Sequence, residues 1–131
     1  MKRLMHLSAI CLFFILCSTT AKAQQPPVVD SIYFHLYTDS LKKGVYNYIN
    51  VDAKMSNGSW RPLTSKDLLL ETSYGKWDEN SLIIDTAFKG AYVEVKATLK
   101  SRPELTRSVK IYMKVLPDPP LKTEAELKRR W

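Results

Sequence analysis

The side chains that could act as nucleophiles, bases or metal ligands are few in this sequence of 131 residues. It contains two histidines and two cysteines, and three of these four residues (His6, Cys11 and Cys17) lie within the first 23 positions. A Ser-His-Asp triad needs a histidine base. His6 lies in a segment that is predicted below to be cleaved off, so His35 is the candidate that remains. Because His35 lies midway along a predicted strand and no nearby serine has the turn context of a nucleophile, a solvent-facing strand histidine is the simpler interpretation.

Adjacent carboxylates at Asp78 and Glu79 offer the residue types of a glycosidase, beside Trp77 in a predicted loop. Neighbours in sequence rarely present the two opposed carboxyl groups that glycoside hydrolysis requires, so solvated loop charges are the simpler interpretation. The same loop offers oxygen ligands for Ca²⁺ at Asp78, Glu79, Asn80 or Asp85, but without the regular ligand spacing of a calcium loop. We therefore predict no catalytic residue, no metal site and no cofactor.

Aromatic side chains give the stronger indication of a binding function. Trp60, Trp77 and Tyr74 lie in or beside predicted loops, where rigid rings with polar tips suit stacking on sugars or contacts with a protein. The alternative is that these rings cover the open ends of a β core. We take the three residues as a candidate ligand or partner surface. Four tyrosines have the parity opposite to the apolar rows described below: Tyr33, Tyr46, Tyr48 and Tyr112.

The first 23 residues have the pattern of a secretory signal peptide. Lys2 and Arg3 precede an apolar run from 7 to 17, and the small residues of an A-x-A site end at Ala23, which predicts cleavage between Ala23 and Gln24. The apolar run is shorter than the roughly 20 residues needed to span a bilayer, so no transmembrane segment is expected. Lipid attachment at Cys17 is a minor alternative, because Leu16 rather than a small residue precedes it.

Removal of this leader changes what the composition allows. The remaining 108 residues suit one domain, and they contain no cysteine and one histidine. All 13 acidic residues but only 17 of the 20 basic residues lie after position 23, so the net charge falls from +7 to +4. Lysines alternate with acids along the predicted strands rather than forming a basic stripe, which argues against nucleic-acid binding.

Apolar residues follow the two-residue period of β-strands from position 28 onwards. The clearest strand is 92–99, whose predicted hairpin partner is 108–115, with Val115 as the last inward residue. An Asn57-Gly58 pair predicts a tight turn, and Pro62 confines the stretch that follows to a sheet edge or a loop. Further strands are predicted at 28–37, 45–54, 68–72 and 81–85, with a loop over 73–80. Asn47 interrupts the apolar row of the strand at 45–54, which predicts that this strand starts near Tyr48 or has a bulge there. About seven short strands favour two packed sheets, a β-sandwich, over a barrel.

The chain after the last strand has a different character. Residues 117–120 contain three prolines, which end the sheet because they cannot donate to its hydrogen-bond ladder. Thr123 and Glu126 match a capping box at the start of a helix of about two turns. A frayed, charged tail is the simpler interpretation for a helix this short. The predicted organisation is a signal peptide at 1–23, a lead-in at 24–27, a β domain at 28–116 and a proline-rich tail at 117–131.

The stretch from Tyr46 to Lys114 resembles the bacterial Ig-like domains of exported and surface proteins. The resemblance lies in an alternating strand with an Asn-Gly turn, a leucine-rich strand entering the Ser73-Tyr74-Gly75 loop, and the strands at 80–85 and 93–98. It implies an Ig-like antiparallel β-sandwich without shared catalytic residues. Tyr92 has outward parity, so it does not occupy the inward position of a tyrosine corner.

These observations predict an exported, non-enzymatic module with a binding or structural role in the periplasm or at the cell surface. Its expected partner is a protein or a carbohydrate of the cell envelope. The first alternative is a carbohydrate-binding module that uses Trp60, Trp77 and Tyr74. The second is a hydrolase built on Asp78 and Glu79.

Overall fold

The computed structural model describes residues 23–128, and the strands within this range confirm the predicted all-β class. The strands are shorter and more numerous than the predicted seven. Within residues 23–128, one short helix, α1, covers Glu124–Lys128. The strands are β1 (Val29–Phe34), β2 (Ser40–Leu41), β3 (Tyr46–Tyr48), β4 (Val51–Met55), β5 (Trp60–Leu63), β6 (Leu68–Thr72), β7 (Lys76–Asp78), β8 (Ser81–Ile83), β9 (Tyr92–Leu99) and β10 (Thr106–Met113).

Backbone hydrogen bonds join these strands into three sheets. The first sheet has the order β1-β4-β5, the second has the order β2-β10-β9-β6, and the third has the order β3-β8-β7. The pairs are antiparallel, with the exception of β2 and β10, which run parallel. Because β1 and β2 belong to different sheets, the chain crosses from the first sheet to the second between Phe34 and Ser40.

The inner face of the second sheet is covered by the other two sheets. Two clusters of buried side chains make this contact, and Phe34 packs against both of them. The first cluster joins the first sheet to the second through Val29, Ile32, Val51, Ala53, Met55, Leu63, Leu68, Ala97 and Leu99. The second cluster joins the third sheet and its flanking residues to the second sheet through Leu41, Ile49, Leu82, Ile84, Val93, Val95, Ile111 and Met113.

The β9–β10 hairpin follows the predicted alternation. Exposed and buried residues alternate along β9 from Tyr92 to Leu99, and β10 pairs with β9 in antiparallel register. Its far end differs from the prediction, because β10 stops at Met113 and Val115 is almost fully exposed. Tyr112 pairs with Tyr92, the first residue of β9, so this neighbour offers no further strand residues along which β10 could extend to Val115.

The single strand predicted over 45–54 is instead two strands in two sheets. Val45 is exposed rather than inward, and Asn50 is buried rather than outward. The Asn47 side chain explains the break: its amide nitrogen donates to the carbonyl oxygens of Lys42 and Leu82, at 2.9 and 3.0 Å. These bonds hold β3 in the third sheet, and a separate strand of the first sheet, β4, starts at Val51.

Part of the loop predicted over 73–80 is strand β7, which forms a hairpin with β8. Glu79 makes the turn with a positive φ of 51°. The hairpin is hard to predict because β7 has three residues and one apolar side chain, Trp77, which is too little to show an alternating row. Its place in the sheet is seen from its backbone pairing with β8.

The predicted Asn57-Gly58 turn, an edge position for Pro62 and part of the predicted helix cap are present. Gly58 closes the β4–β5 hairpin with a φ of 85°, and Pro62 lies in β5 at an edge of the first sheet. At the start of α1, the Glu126 carboxylate accepts from the Thr123 backbone N–H at 2.8 Å, which is half of a capping box. The predicted leader lies outside the described residues except for Ala23, which is exposed like Gln24. Between residues 23 and 128, no helix is long and apolar enough to cross a membrane.

Candidate functional site

The outer face of the first sheet carries an aromatic cluster, which we call the aromatic face and define as Tyr33, His35 and Trp60. Tyr33 lies opposite Asp52 in the β1–β4 register, and Lys54 lies opposite Trp60 in the β4–β5 register. Successive side chains of a strand point to opposite sides of its sheet. Since the alternate residues of these strands are buried in the core, the three rings point away from it.

The rings of the aromatic face touch one another. The Tyr33 and His35 rings are nearly parallel, at 13°, with centroids 6.2 Å apart. The Trp60 ring approaches both at a steep angle, with centroid distances of 5.6 Å to Tyr33 and 5.0 Å to His35. Tyr33 is 39% exposed and Trp60 is 49% exposed. The cluster is therefore an accessible aromatic surface in which each ring limits the movement of the others.

Two cations flank the aromatic face. The Lys54 ammonium lies 4.6 Å from the centroid of the Trp60 ring, and it also donates to the Gly58 carbonyl at 2.7 Å. The Arg107 guanidinium carbon lies 5.4 Å from the Tyr33 ring centroid. Its Nε donates to the Ile32 carbonyl at 3.2 Å, which ties β10 to β1. Cation–π contacts of this kind add attraction at partly exposed sites.

His35 is oriented by a carboxylate rather than paired with a nucleophile. Its Nδ1 lies 2.7 Å from Asp52 Oδ2, which also accepts from the Asn50 side-chain amide at 3.0 Å. The His35 backbone N–H donates to the Asn50 carbonyl at 3.0 Å. Among residues 23–128, no serine hydroxyl is hydrogen-bonded to the His35 ring. The arrangement fixes the ring orientation on an exposed surface and supplies no acyl-transfer geometry.

The three aromatic residues predicted from the sequence occupy different surroundings. Trp60 belongs to the aromatic face, whereas Tyr74 and Trp77 pack against the second core cluster. Tyr74 stacks on Phe88 at 4.3 Å. Trp77 lies half-buried in β7, and no partner for its indole nitrogen is found within the described part of the chain. The ring contacts therefore group Trp60 with Tyr33 and His35 rather than with Tyr74 and Trp77.

A hydrogen bond between Tyr74 and Asp85 holds the corner after β8. The Tyr74 hydroxyl donates to Asp85 Oδ2 at 2.5 Å. This bond lowers the pKa of the Asp85 carboxyl and raises the pKa of the Tyr74 phenol. The Ala87 backbone N–H donates to the other carboxylate oxygen at 2.9 Å, which lowers the Asp85 pKa further. Both groups hold the loop in place.

The candidate oxygen ligands of the β7–β8 turn lie in different environments. Asp78 and Glu79 are exposed. Asn80 is buried: its Oδ1 accepts from the Ser65 N–H at 2.7 Å and its Nδ2 donates to the Leu63 carbonyl at 3.2 Å. Within residues 23–128, no three His, Cys, Asp or Glu side chains converge as metal ligands. Asn80 thus joins the third sheet to β5 and is not available as a cation ligand.

The sequence predicted Trp60 as part of a binding surface but not Tyr33 or His35, and it did not point to the flanking cations Lys54 and Arg107. The outward parity of Tyr33 and His35 was readable from alternation, but their contact with Trp60 depends on the pairing of β4 with two strands. Arg107 reaches the cluster from the second sheet, which no local pattern encodes. Comparisons with protein-family models, with curated proteins and with solved structures gave no match.

Proposed function

We propose that this chain is an exported, non-enzymatic Ig-like β-sandwich that binds a protein partner in the periplasm or at the cell surface. The contact surface in this proposal is the aromatic face. The observation that carries it is the exposed contact among Tyr33, His35 and Trp60, flanked by two cations.

The strand order supports the Ig-like part of the proposal. Ig-like sandwiches have one sheet with the strand order A-B-E-D and a second sheet containing C, F and G. The order β10-β9-β6 corresponds to G-F-C. If β3 and β4 together are strand B, then β1, β8 and β7 correspond to A, E and D, since β4 pairs with β1 and β3 pairs with β8-β7. The β5 strand is then an additional hairpin strand beside B.

The predicted leader supports the location. A basic start, an apolar run and an A-x-A site are the parts of a secretory signal, and cleavage after Ala23 would remove both cysteines. An exported domain without disulfides depends on its hydrophobic core. The two clusters that link all three sheets supply that core.

The residue types of the surface favour a protein over a sugar as ligand. Trp, Tyr and Arg are the side chains that most often dominate the binding energy of protein interfaces. Lys54 and Arg107 already lie over the rings of Trp60 and Tyr33, so a sugar that stacked on those faces would have to displace them. Carbohydrate binding remains the second candidate because about half of Trp60 is exposed.

Cross-linking of the native protein followed by mass spectrometry would identify its partner, its compartment and its true N-terminus. With the partner in hand, Trp60→Ala should weaken binding at least about 30-fold, the effect of losing an interface hot spot of roughly 2 kcal/mol. Tyr112→Ala is the matched control, because Tyr112 is similarly exposed but projects from β10 near Tyr92. Equal losses in both variants would contradict the proposal. Glycan binding that depends on Trp60 would favour the second candidate.

A further inference from the structure

Two lysines are brought side by side where the two parallel strands end. Leu41 pairs with Met113 in the β2–β10 register, and Lys42 and Lys114 are the next residues of each chain segment. The Lys114 backbone N–H donates to the Leu41 carbonyl at 2.7 Å, which continues the pairing to this point. Like charges in neighbouring positions of a sheet repel each other. An anion bound between the two ammonium groups would therefore reduce their repulsion.

The backbone around Lys42 is held firmly in this position. The Asn47 side chain accepts from the Lys42 N–H at 2.8 Å and donates to the Lys42 carbonyl at 2.9 Å. The Gly44 N–H donates to the Ile84 carbonyl at 2.7 Å. These bonds fix the loop between β2 and β3 on the third sheet, so the pair of lysines is a preformed feature of the domain.

The carboxylate of Asp118, in the segment after β10, binds both lysines. Lys42 Nζ lies 2.8 Å from Asp118 Oδ2, and Lys114 Nζ bonds to Asp118 Oδ1, so each lysine binds a different oxygen. Together they lower the pKa of Asp118 to about 2. Asp118 lies between Pro117 and Pro119, and residues 114–122 form neither strand nor helix. The occupant is therefore an acidic side chain on a proline-restricted, extended segment.

The tail is attached to the strands weakly. Among the described residues, the hydrogen bonds that tie 115–122 to the strands are those of Asp118. Val115, Leu116 and Leu121 are all largely exposed, so the segment gains little from burial. Exposed ion pairs contribute little stability and are screened by salt. A competing anion can displace this segment without disturbing the core.

A groove starts at the same lysines, and tyrosines line the hollow beside it. The groove has a volume of about 660 Å³ and is bounded by Leu36, Tyr37, Thr38, Asp39, Ser40 and both lysines, so it carries two cations against one carboxylate. Tyr37 stacks on Tyr48 at 6.1 Å, and Tyr46 lines the adjoining hollow. Tyr37 is 76% exposed and Tyr46 is 68% exposed. Grooves lined by aromatic rings are the surfaces on which proline-rich extended peptides dock.

We propose that Lys42 and Lys114 form a carboxylate-binding site for an acidic, proline-flanked peptide segment of a partner protein, and that Asp118 occupies this site until the partner displaces it. The tail thus acts as an internal competitor. The site uses none of the residues of the aromatic face, so either surface can fail its test without the other.

The test uses the full chain and a fluorescein-labelled peptide that copies residues 115–122, with binding followed by fluorescence anisotropy at low salt. Asp118→Asn should bind this peptide about threefold to tenfold more tightly than the unaltered protein, because the internal competitor is lost. A peptide with Asn at the central position should bind both proteins weakly. Addition of Lys42→Ala to the Asp118→Asn variant should abolish the gain, whereas Lys43→Ala, at the adjacent exposed position, should preserve it.

Each outcome decides the proposal. Equal affinity of Asp118→Asn and the unaltered protein for the peptide would overturn it, as would an equal loss from Lys43→Ala and Lys42→Ala. Tighter binding of polygalacturonate than of the peptide would assign the lysine pair to an acidic polysaccharide and overturn the peptide assignment. Far-UV circular dichroism and thermal unfolding of each variant would separate lost binding from lost folding.

Discussion

Replacement of Asn80 by alanine should destabilise the domain without changing its exposed surfaces. Asn80 is 4% exposed, and its side chain spans from the β7–β8 turn to the end of β5. The Asn80→Ala variant leaves the Leu63 carbonyl without one hydrogen bond and the Ser65 N–H without its acceptor. The backbone bond from the Ile49 N–H to the Asn80 carbonyl, at 2.8 Å, is independent of the side chain. The loss is therefore confined to two polar groups.

The expected loss follows from the surroundings of those groups. An unsatisfied buried polar group costs about 1–3 kcal/mol. Leu63 is fully buried, whereas Ser65 is half-buried and can be reached by water, so we expect a total of about 2–3 kcal/mol, near the lower end of the summed cost for two such groups. For a domain of this size, that corresponds to a decrease in Tm of roughly 10–20 °C. Typical domains are stable by about 5–15 kcal/mol, so the variant should still fold at 25 °C.

Urea unfolding followed by tryptophan fluorescence measures this loss, with an unchanged slope showing that the same surface unfolds. Asn57→Ala is the matched control, because the Asn57 side chain also takes part in two hydrogen bonds, both accepted from Ser59, but in an exposed turn. We expect it to cost less than about 1 kcal/mol. An Asn80→Ala loss as small as that of the control would refute the reasoning that burial of Asn80 joins the sheets.

Two further predictions concern backbone geometry and pH. Gly75→Ala should cost at least about 2–3 kcal/mol in urea unfolding, because a Cβ at its φ of 103° would lie 2.8 Å from the Ile83 carbonyl oxygen; Gly58→Ala, at a φ of 85° with open space around it, should cost about 1 kcal/mol. Similar losses in both variants would contradict this account. The hydrogen bond from Lys114 lowers the pKa of Asp118 to about 2, so the stabilising effect of its ionised form is present above its unfolded pKa near about 4 and is lost as pH falls towards 2. Urea midpoints measured from pH 5 to pH 2 should therefore fall less steeply in Asp118→Asn than in the unaltered protein, and parallel profiles would disprove the linkage.

Alternation predicts the strands whose two faces differ in environment. The β9 strand has one wet and one buried face, so its bounds could be read from Tyr92 to Leu99. The Asn57-Gly58 turn could also be predicted from the sequence, because glycine adopts the positive φ that the turn requires at little steric cost. Both signals are local, and local signals survive the packing of the whole chain.

Other features depend on contacts between distant residues. Asn47 holds β3 in the third sheet because its amide reaches the Leu82 carbonyl, 35 positions away. Asn50 is held in its buried position by two hydrogen bonds. Its side-chain amide donates to Asp52, and its backbone carbonyl accepts from the His35 N–H. An asparagine in an alternating run looks the same whether it terminates a strand, lies in the core or faces solvent.

The candidate site divides along the same line. The outward direction of Tyr33 follows from parity, and the exposure of Trp60 follows from its place beside a turn. Their contact requires β4 to lie between β1 and β5, which is a property of strand order. The hydrogen bond between Lys42 and Asp118 joins residues 76 positions apart, and no periodicity in either segment predicts this contact.

The parallel pairing of β2 with β10 also determines how the domain responds to mechanical force. The chain enters β2 from the amino-terminal side and leaves β10 towards the carboxyl terminus, and the two strands run in the same direction. Tension between the two ends of the domain therefore pulls these strands along their axes in opposite directions. The bonds between them, including the one from Lys114 to Leu41, are loaded in shear and must break together rather than one after another.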